Sequence, residues 1–448
     1  MKSKLQMKNR DLTSGNITAG LWAFAVPFML GNILQQFYNL VDTWVVGRYI
    51  GDHALAAVGA SYTLLTFLTS VVIGLSLGTG SFLSIAFGKK RQDTIRNGIF
   101  LSACMIGLLT LVIMGLIYLF LDPIIFLLQV PKELVGDMRL YLVYVFAGFF
   151  ATFLYNYFSN VLRGMGNSTA PLLFLAVAVV LNVVLDLYFV LGLHMGIRGA
   201  AVATVIAQYG SGIGTLLYFW FACPQYRLRR EDMRWNRQNF QSILSLSGFT
   251  CLQQSMMNFG ILLVQGVVNS FGATVMAAFT VAVKIDTIAY MPVQDFGNAF
   301  SVFVAQNFGA KRPERIRAGA KQAVASVACF CIAVSGAVFA FAKPLMGIFV
   351  DSASRETIAI GVGYLRIEGA CYLGIGLLFL LYGYYRAVER PGMSVILTIL
   401  SLGTRVVLAH VLSAIPAVGV VGIWVSIPIG WVVADVFGIW YTFSRKQI

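Results

Sequence analysis

The sequence predicts an all-α integral membrane protein with about twelve transmembrane helices in two pseudo-symmetric six-helix bundles. Two observations predict this fold class. Of 448 residues, 58% are hydrophobic and only 11% are charged, which is more apolar surface than a water-soluble fold can bury. The second half of the chain also repeats the motifs of the first half, at a shift of roughly 220 residues.

The repeat is clearest in a basic segment that follows an apolar stretch in each half. Residues 86–98 (AFGKKRQDTIRNG) match residues 307–319 (NFGAKRPERIRAG). Further matches keep the same order along both halves, namely Gln35-Gln36 with Gln253-Gln254, Gly51 with Gly272, Arg163 with Arg386, and Gly199 with Gly422. Two homologous bundles in one membrane are typical of a transporter that alternates access around a central site.

Apolar stretches define the individual spans and the domain boundaries. Those long enough to cross a bilayer lie near 17–48, 54–82, 97–121, 139–161, 169–192, 197–221, 241–270, 274–305, 318–343, 358–385, 393–414 and 419–443. An arginine-rich segment with a proline separates the sixth stretch from the seventh. We therefore predict an N-terminal lobe at 1–222, a cytoplasmic linker at 223–240 and a C-terminal lobe at 241–448. The first stretch has no small-residue cleavage site, so we expect it to remain as a helix.

The net charge of +14 is sorted by loop, which indicates membrane orientation rather than nucleic-acid binding. Lysine and arginine cluster before the first span, after every even-numbered span, and at the end of the chain. We therefore predict a multi-pass protein of a bacterial cytoplasmic membrane, with both termini in the cytoplasm. The basic face will attract anionic membrane lipids, and no nucleic-acid partner is expected.

A polar stripe interrupts the first span. Gln35, Asn39 and Asp42 stand at i, i+4 and i+7, so they share one helix face that must avoid lipid. Pro27 lies in the same span, frees a backbone carbonyl, and gives the helix a place to bend. An ionisable group at membrane depth is expensive, so Asp42 is a candidate functional residue.

A second polar face in the fifth span lies at a similar predicted depth. Asn182 and Asp186 are i, i+4 neighbours, and Thr204 of the sixth span reaches the same level. Together with Asp42 they form an oxygen cluster that suits Na⁺, while two close carboxylates suit a proton. The alternative is a buried hydrogen-bond network that only fixes helix packing.

The second half does not reproduce this cluster, because Arg405 stands at the position of Asn182 and Ala409 stands at the position of Asp186. From predicted depth we expect an ion pair between Lys284 and Glu368, and another between Arg405 and Asp435. Glu368 is also a candidate for a second coupling site.

Flexible methionine, aromatic and polar side chains are candidates for a broad pocket that accepts organic cations of varied shape. We select six residues for such a substrate cavity: Gln35, Tyr38, Asn39, Gln254, Met257 and Asp295.

Several motifs together resemble the multidrug and toxic compound extrusion (MATE) family, and its DinF-like branch in particular. They are the segment 35–43 (QQFYNLVDT), the loop 162–167 (LRGMGN) ahead of Pro171, and the segment 181–186 (LNVVLD), within twelve spans in two repeats. The resemblance implies two lobes around a V-shaped cavity and cation-coupled export of organic, often cationic, compounds.

The resemblance also implies roles for individual residues. Asp42 and Asp186 resemble the two acids of the family's N-lobe cation site, and Asn182 and Thr204 resemble its neutral ligands. Asn156 is similar to a further polar member of this site, although Ser159 or Asn160 could take that role. Pro27 is similar to the first-helix proline near which that helix bends.

We therefore predict a monomeric antiporter driven by H⁺, Na⁺ or both, which acts on small organic molecules and needs no cofactor. The nearest alternative is a flippase for lipids or lipid-linked precursors, which would require a cationic cavity. A membrane enzyme would need clustered acids for Mg²⁺ or a catalytic histidine, and neither pattern occurs in the sequence. We therefore predict no catalytic residues.

Overall fold

The computed structural model describes residues 10–128, 130–351 and 354–444. In these ranges the chain forms fifteen α-helices and no strand. The helices are α1 Ile17–Val45, α2 Asp52–Gly88, α3 Gln92–Leu119, α4 Leu121–Leu127, α5 Lys132–Ala147, α6 Phe149–Gly164, α7 Thr169–Leu187, α8 Ile197–Ala222, α9 Arg237–Asn269, α10 Ala273–Gly309, α11 Pro313–Gly347, α12 Arg355–Gly369, α13 Tyr372–Ala387, α14 Pro391–Ser413 and α15 Val420–Ser444. The all-α fold class predicted from the sequence is confirmed.

The number of membrane spans also agrees with the prediction. Ten helices of the described chain are long and apolar enough to cross a bilayer, and two further spans are bent helix pairs. Helices α5 and α6 meet at 42°, and helices α12 and α13 meet at 52°. With each pair counted as one span there are twelve, so the chain is a multi-pass membrane protein. Both chain ends lie outside the described residues, so their cytoplasmic placement stays a prediction.

The fourth span of each half is broken, which the apolar stretches near 139–161 and 358–385 do not indicate. The first break falls at Gly148, where an added Cβ would collide with the Gln208 side chain. The second falls at residues 370–371, directly after the end of α12. Both spans also begin earlier than predicted, because each includes a polar first turn that a hydropathy pattern leaves out.

The chain forms two compact units whose borders differ from the predicted ones. Within the described residues, unit 1 comprises 10–12 and 23–251, and unit 2 comprises 13–22 and 252–444. The predicted linker, 223–240, therefore belongs to unit 1, as does the first half of α9. The physical reason is that α9 is one continuous helix, so no flexible segment marks the border between the units.

The repeated basic segment keeps the same backbone geometry in both halves. Lys90 and Lys311 each adopt φ of 56°, directly after helices α2 and α10. In each copy this residue donates a hydrogen bond to the carbonyl three residues earlier, and the next residue donates to the carbonyl five residues earlier. This is the Schellman pattern of a helix C-terminus. The internal repeat therefore extends to the geometry of individual turns.

The second copy of this segment fixes the start of α1 within unit 2. The guanidinium of Arg312 donates to the Thr13 carbonyl at 2.7 Å, and that of Arg315 donates to the Gly15 carbonyl at 3.0 Å. Farther along α1, the Thr18 hydroxyl donates to the Gln322 side chain at 2.6 Å. These arginines therefore have a structural function in addition to the orientation signal that they give in the sequence.

The first copy fixes the segment ahead of α9 within unit 1. The Nε of Arg96 donates to the Asp232 carboxylate at 2.7 Å, and both side chains are largely buried. The amide of Asn97 donates to the backbone carbonyls of Asp232 and Arg234, both at 2.9 Å. The segment 223–240 is thus an ordered strap on α3.

We predict that replacing Arg96 with alanine loosens this strap. The change leaves the Asp232 carboxylate without its guanidinium partner, and charged hydrogen bonds of this kind contribute about 1.5–3 kcal/mol. Trypsin should then cut the arginine-rich segment 223–240 of the detergent-purified protein several-fold faster than in the wild type. Arg139→Ala is the matched control, because its ion pair with Asp122 is 58% and 67% exposed and contributes little. Equal cleavage rates in the wild type and Arg96→Ala would contradict the role of the strap.

Candidate functional site

Unit 1 brings the two predicted acids together. Asn182 and Asp186 lie one turn apart on the inner face of α7, and both are fully buried. Asp42 lies near the end of α1 and is 8% exposed. The carboxylates of Asp42 and Asp186 are close enough for their charges to interact. We call these three residues together with Thr204 the carboxylate cluster.

Two tyrosines complete the surroundings of the carboxylate cluster. The Tyr38 hydroxyl lies within hydrogen-bonding reach of Thr204 and close to both acids. The Thr204 hydroxyl itself donates to the Ala200 carbonyl at 3.0 Å, so its lone pairs remain available to accept from Tyr38. Tyr141 of α5 is buried beside Tyr38 and the acids. The sequence offered one signal for Tyr38, since it stands one helical turn before Asp42, and none for Tyr141.

Most polar side-chain atoms of this cluster have no hydrogen-bond partner in the described part of the protein. Among the described residues, Oδ1 of Asp42, both carboxylate oxygens of Asp186, and both side-chain polar atoms of Asn182 are buried without a hydrogen-bond partner. Buried polar atoms normally have hydrogen-bond partners, so five unpaired polar atoms in one place need an explanation. Four of the five atoms are oxygens, which are the ligands that Na⁺ and other hard cations prefer. The arrangement can therefore hold a cation or protons.

The two helices that carry the acids end in the same unusual way. Helix α1 continues into a π-helical turn at Val46–Ile50, and α7 continues into another at Tyr188–Gly192. The two turns contact each other. A π-helical turn leaves its backbone less regularly bonded than an α-helix, and such turns are frequent at functional sites. The acids therefore stand directly before the least regular parts of their helices.

The remaining predicted polar neighbour, Asn156, bonds within its own helix. Its amide donates to the Thr152 carbonyl at 2.9 Å, and its backbone carbonyl accepts from the Asn160 side chain at 2.8 Å. No described contact joins Asn156 to either acid. The Ser159 hydroxyl is buried and has no hydrogen-bond partner among the described residues.

Pro27 lies inside α1, which stays helical from Ile17 to Val45. Proline cannot donate a backbone hydrogen bond, so the α1 ladder is incomplete at this position. The next residue, Phe28, lies under the guanidinium of Arg163, with 3.8 Å between the Arg163 Cζ and the ring centroid. The Ser168 hydroxyl donates to the Phe24 carbonyl at 2.8 Å. The surroundings thus support α1 on both sides of the proline.

In unit 2 the polar residues combine differently from the two predicted ion pairs. Glu368 has Asp286 and Arg405 as its charged neighbours, and no ion pair joins it to Lys284 among the described residues. Arg405 and Asp435 do not form an ion pair either, and each has a buried side-chain atom without a partner. Helix length gives the depth of a residue but not the direction in which its side chain points, so depth alone selected the wrong neighbours.

The six residues selected for a substrate cavity are divided between the units. Gln35, Tyr38 and Asn39 belong to unit 1, where Gln35 is exposed and Tyr38 adjoins the carboxylate cluster. The other three belong to unit 2. Of these, Met257 lines a cavity described below, Gln254 is half-buried, and Asp295 is buried in α10. A substrate role for these residues stays a prediction.

Comparisons with known proteins give the family. The MatE family model matches residues 27–188 and 250–411, one match in each half of the chain. The probable multidrug resistance protein YpnP of Bacillus subtilis is 30% identical over 402 residues, which cover 88% of each chain. DNA damage-inducible protein F of Escherichia coli is 28% identical over 302 residues, which cover 65% of this chain and 64% of that protein.

A solved structure gives the same result for the fold. It is described as an outward-facing multidrug resistance MATE family transporter of the MOP superfamily, and it matches with a TM-score of 0.91. Its sequence is 23% identical, and the match covers 98% of both chains. YpnP is named as a probable multidrug resistance protein, and the solved structure is named as a multidrug resistance transporter. The resemblance found in the sequence is confirmed: this chain belongs to the MATE family.

Proposed function

We propose that this protein is a cation-coupled antiporter that exports organic, often cationic, compounds across the cytoplasmic membrane. The coupling ion is H⁺, Na⁺ or both, and it binds at Asp42 and Asp186. The single observation that carries the proposal is the buried carboxylate cluster, whose oxygens lack protein partners. Membership in a family with relatives named as multidrug resistance proteins supports export of small organic molecules.

The coupling follows from the cost of burying charge. Two unpaired carboxylates in an apolar surrounding are unfavourable, and a bound cation or proton removes most of this penalty. The state with a neutral cluster can therefore pack α1, α7 and α8 more tightly than the state with two free charges. A ligand shifts a conformational equilibrium only by its differential affinity for the two states, and this cluster provides such a difference.

Orientation follows from the basic segments. The turns after α2, α10 and α13 and the strap at 223–240 hold most of the cations in the described loops, so we place them in the cytoplasm. Export then uses an inward gradient of H⁺ or Na⁺. We expect the protein to act as a monomer among membrane lipids.

We predict that Asp42→Asn and Asp186→Asn each strongly reduce gradient-driven export. An amide has nearly the shape of a carboxylate but carries no charge. Binding of a cation can then no longer relieve a charge penalty at this residue, so the free-energy difference between the ion-bound and ion-free states is lost. The measurement is efflux of a fluorescent organic cation from proteoliposomes, under an imposed Na⁺ gradient and separately under an imposed pH gradient. We expect initial rates to fall by about tenfold or more, which corresponds to at least 1.4 kcal/mol.

Asp122→Asn is the matched control, because this residue is an exposed acid outside the cluster. It should export at the wild-type rate. Wild-type rates in Asp42→Asn would contradict the assignment of the cation site, while movement that ignores both gradients would favour lipid flipping.

We predict that Thr204→Val and Tyr38→Phe weaken binding of the coupling ion without abolishing transport. Both changes keep the shape of the side chain and remove a hydroxyl at the carboxylate cluster. One hydrogen bond contributes about 1 kcal/mol, so the half-maximal ion concentration should rise about fivefold. The measurement is the initial export rate at a series of ion concentrations.

Tyr209→Phe is the control for these two variants, because its hydroxyl is exposed and donates to the Ala147 carbonyl outside the cluster. It should leave the half-maximal concentration unchanged. An unchanged value in Thr204→Val would show that the hydroxyl does not contribute to the site.

A further inference from the structure

Unit 2 contains a cavity in which two buried acids meet one arginine. The cavity has a volume of about 70 Å³ and is lined mostly by apolar and aromatic side chains. Asp286 of α10, Glu368 of α12 and Arg405 of α14 are its charged residues. Both acids are buried, at 4% and 2% exposure. No part of this arrangement is used by the transport mechanism proposed above.

The three charged groups adjoin but do not satisfy one another. Glu368 lies within hydrogen-bonding reach of Asp286, and Arg405 is close enough to both for its charge to act on them. Oδ1 of Asp286, Oε2 of Glu368 and Nε of Arg405 are nevertheless buried without a hydrogen-bond partner in the described chain. The Tyr372 hydroxyl lies within hydrogen-bonding reach of Asp286, and the Tyr364 hydroxyl within reach of Glu368, so these two hydroxyls and the guanidinium are the neighbours that can balance the acids.

The internal repeat shows which position the arginine occupies. Arg405 of α14 is the counterpart of Asn182 of α7 in the repeat, because this pair has the same separation in the sequence as the matched pair Arg163 and Arg386. In unit 1 that position carries a neutral amide beside two acids. In unit 2 it carries a guanidinium beside two acids. Tyr364 is likewise the counterpart of Tyr141 in the repeat. Each tyrosine lies close to the acids of its own unit.

We propose that the Arg405 guanidinium is a built-in cation that neutralises the Asp286 and Glu368 pair and prevents this cavity from taking up Na⁺. A guanidinium keeps its charge and is tethered to the chain, so it cannot exchange with an ion from solution. One carboxylate balances the arginine, and the two neighbouring carboxyl groups share one proton. The cavity is then electrically neutral without any bound metal ion.

Other charged groups nearby do not provide this balance. Lys284 lies on α10 two residues before Asp286, but it does not line the cavity. Asp435 is buried on α15 and does not line it either. The inference concerns unit 2 alone, and it does not require that Asp42 and Asp186 couple transport.

The test is to remove the arginine and measure Na⁺ binding. All variants are made in full-length Asp42→Asn/Asp186→Asn protein, in which unit 1 no longer contributes acids. Equilibrium binding of radioactive Na⁺ is measured on purified protein at constant ionic strength, with N-methylglucamine as the replacement cation. We expect no saturable binding while Arg405 is present. Arg405→Gln should create one saturable site per chain, with a dissociation constant on the order of millimolar.

Three further variants separate charge from structure. Arg405→Lys keeps a cation and should bind no Na⁺. Adding Glu368→Gln to Arg405→Gln should weaken the new site by about tenfold or more, because one of its two acids is gone. Adding Asp122→Asn instead removes an exposed acid and should change nothing. Na⁺ should also raise the Tm of Arg405→Gln by about 2–5 °C, and it should not raise that of Arg405→Lys.

Two results would overturn the proposal. One is a folded, monodisperse Arg405→Gln protein that binds no Na⁺. The other is saturable Na⁺ binding in the presence of Arg405 that Glu368→Gln removes. If Arg405→Gln folds poorly, the second result still decides, because Glu368→Gln in the Asp42→Asn/Asp186→Asn protein keeps a balanced pair of Asp286 and Arg405. If Arg405 had only a structural function, Arg405→Gln would lower the Tm by the same amount with and without Na⁺.

Discussion

The cost of placing charged carboxylates among apolar helices is the constraint on which the rest of this structure depends. Each unit contains a pair of buried acids with unpaired oxygens, yet each unit meets the cost in a different way. In unit 1 the neighbours of Asp42 and Asp186 are hydroxyl and amide groups, so in the proposed mechanism the missing positive charge comes from outside the protein. In unit 2 Arg405 provides that charge from within the chain. The position of the repeat that is asparagine in unit 1 is arginine in unit 2, and the acids of the two units stand at different repeat positions.

The repeat has kept its backbone while its chemistry has changed. Both halves have a broken fourth span, a Schellman turn at the same lysine position, and a basic segment that binds the chain just ahead of a long helix. These features depend on backbone hydrogen bonds and on where a helix can be interrupted, so they tolerate substitution at most positions. The holding contacts illustrate this tolerance. Arg96 and Asn97 hold the strap in unit 1, whereas Arg312 and Arg315 hold the start of α1 in unit 2, from different positions of the repeated segment.

Features that depend on periodicity could be predicted from the sequence. Contacts that depend on the direction of a side chain could not. Twelve spans follow from apolar length, and the meeting of Asp42 with Asp186 follows from two polar helix faces at one depth. The breaks at Gly148 and Ala370 are short and leave the hydropathy pattern unchanged, so they could not be seen. The neighbours of Glu368 were also beyond reach, because depth does not give the rotation of a helix about its axis. The arginines of the repeated segment were visible, but their contacts with distant backbone carbonyls were not.

Helix α1 connects the charge constraint to the architecture. Its residues up to Trp22 belong to unit 2, and its residues from Ala23 onward belong to unit 1. Pro27, where the backbone ladder is incomplete, follows that border by four residues, and Asp42 lies near the other end of the same helix. In the proposed mechanism a cation at Asp42 therefore acts on α1, which has residues in both units. Asp42 lies C-terminal to Pro27, where the hydrogen-bond ladder of this helix is incomplete. Helix α9 also belongs to both units, but position 260 is a glycine where the repeat offset would place the counterpart of Asp42. In the proposed mechanism ion binding therefore acts on α1, which is one of the two shared helices, while the charges of the unit 2 cavity that α9 lines are balanced by Arg405.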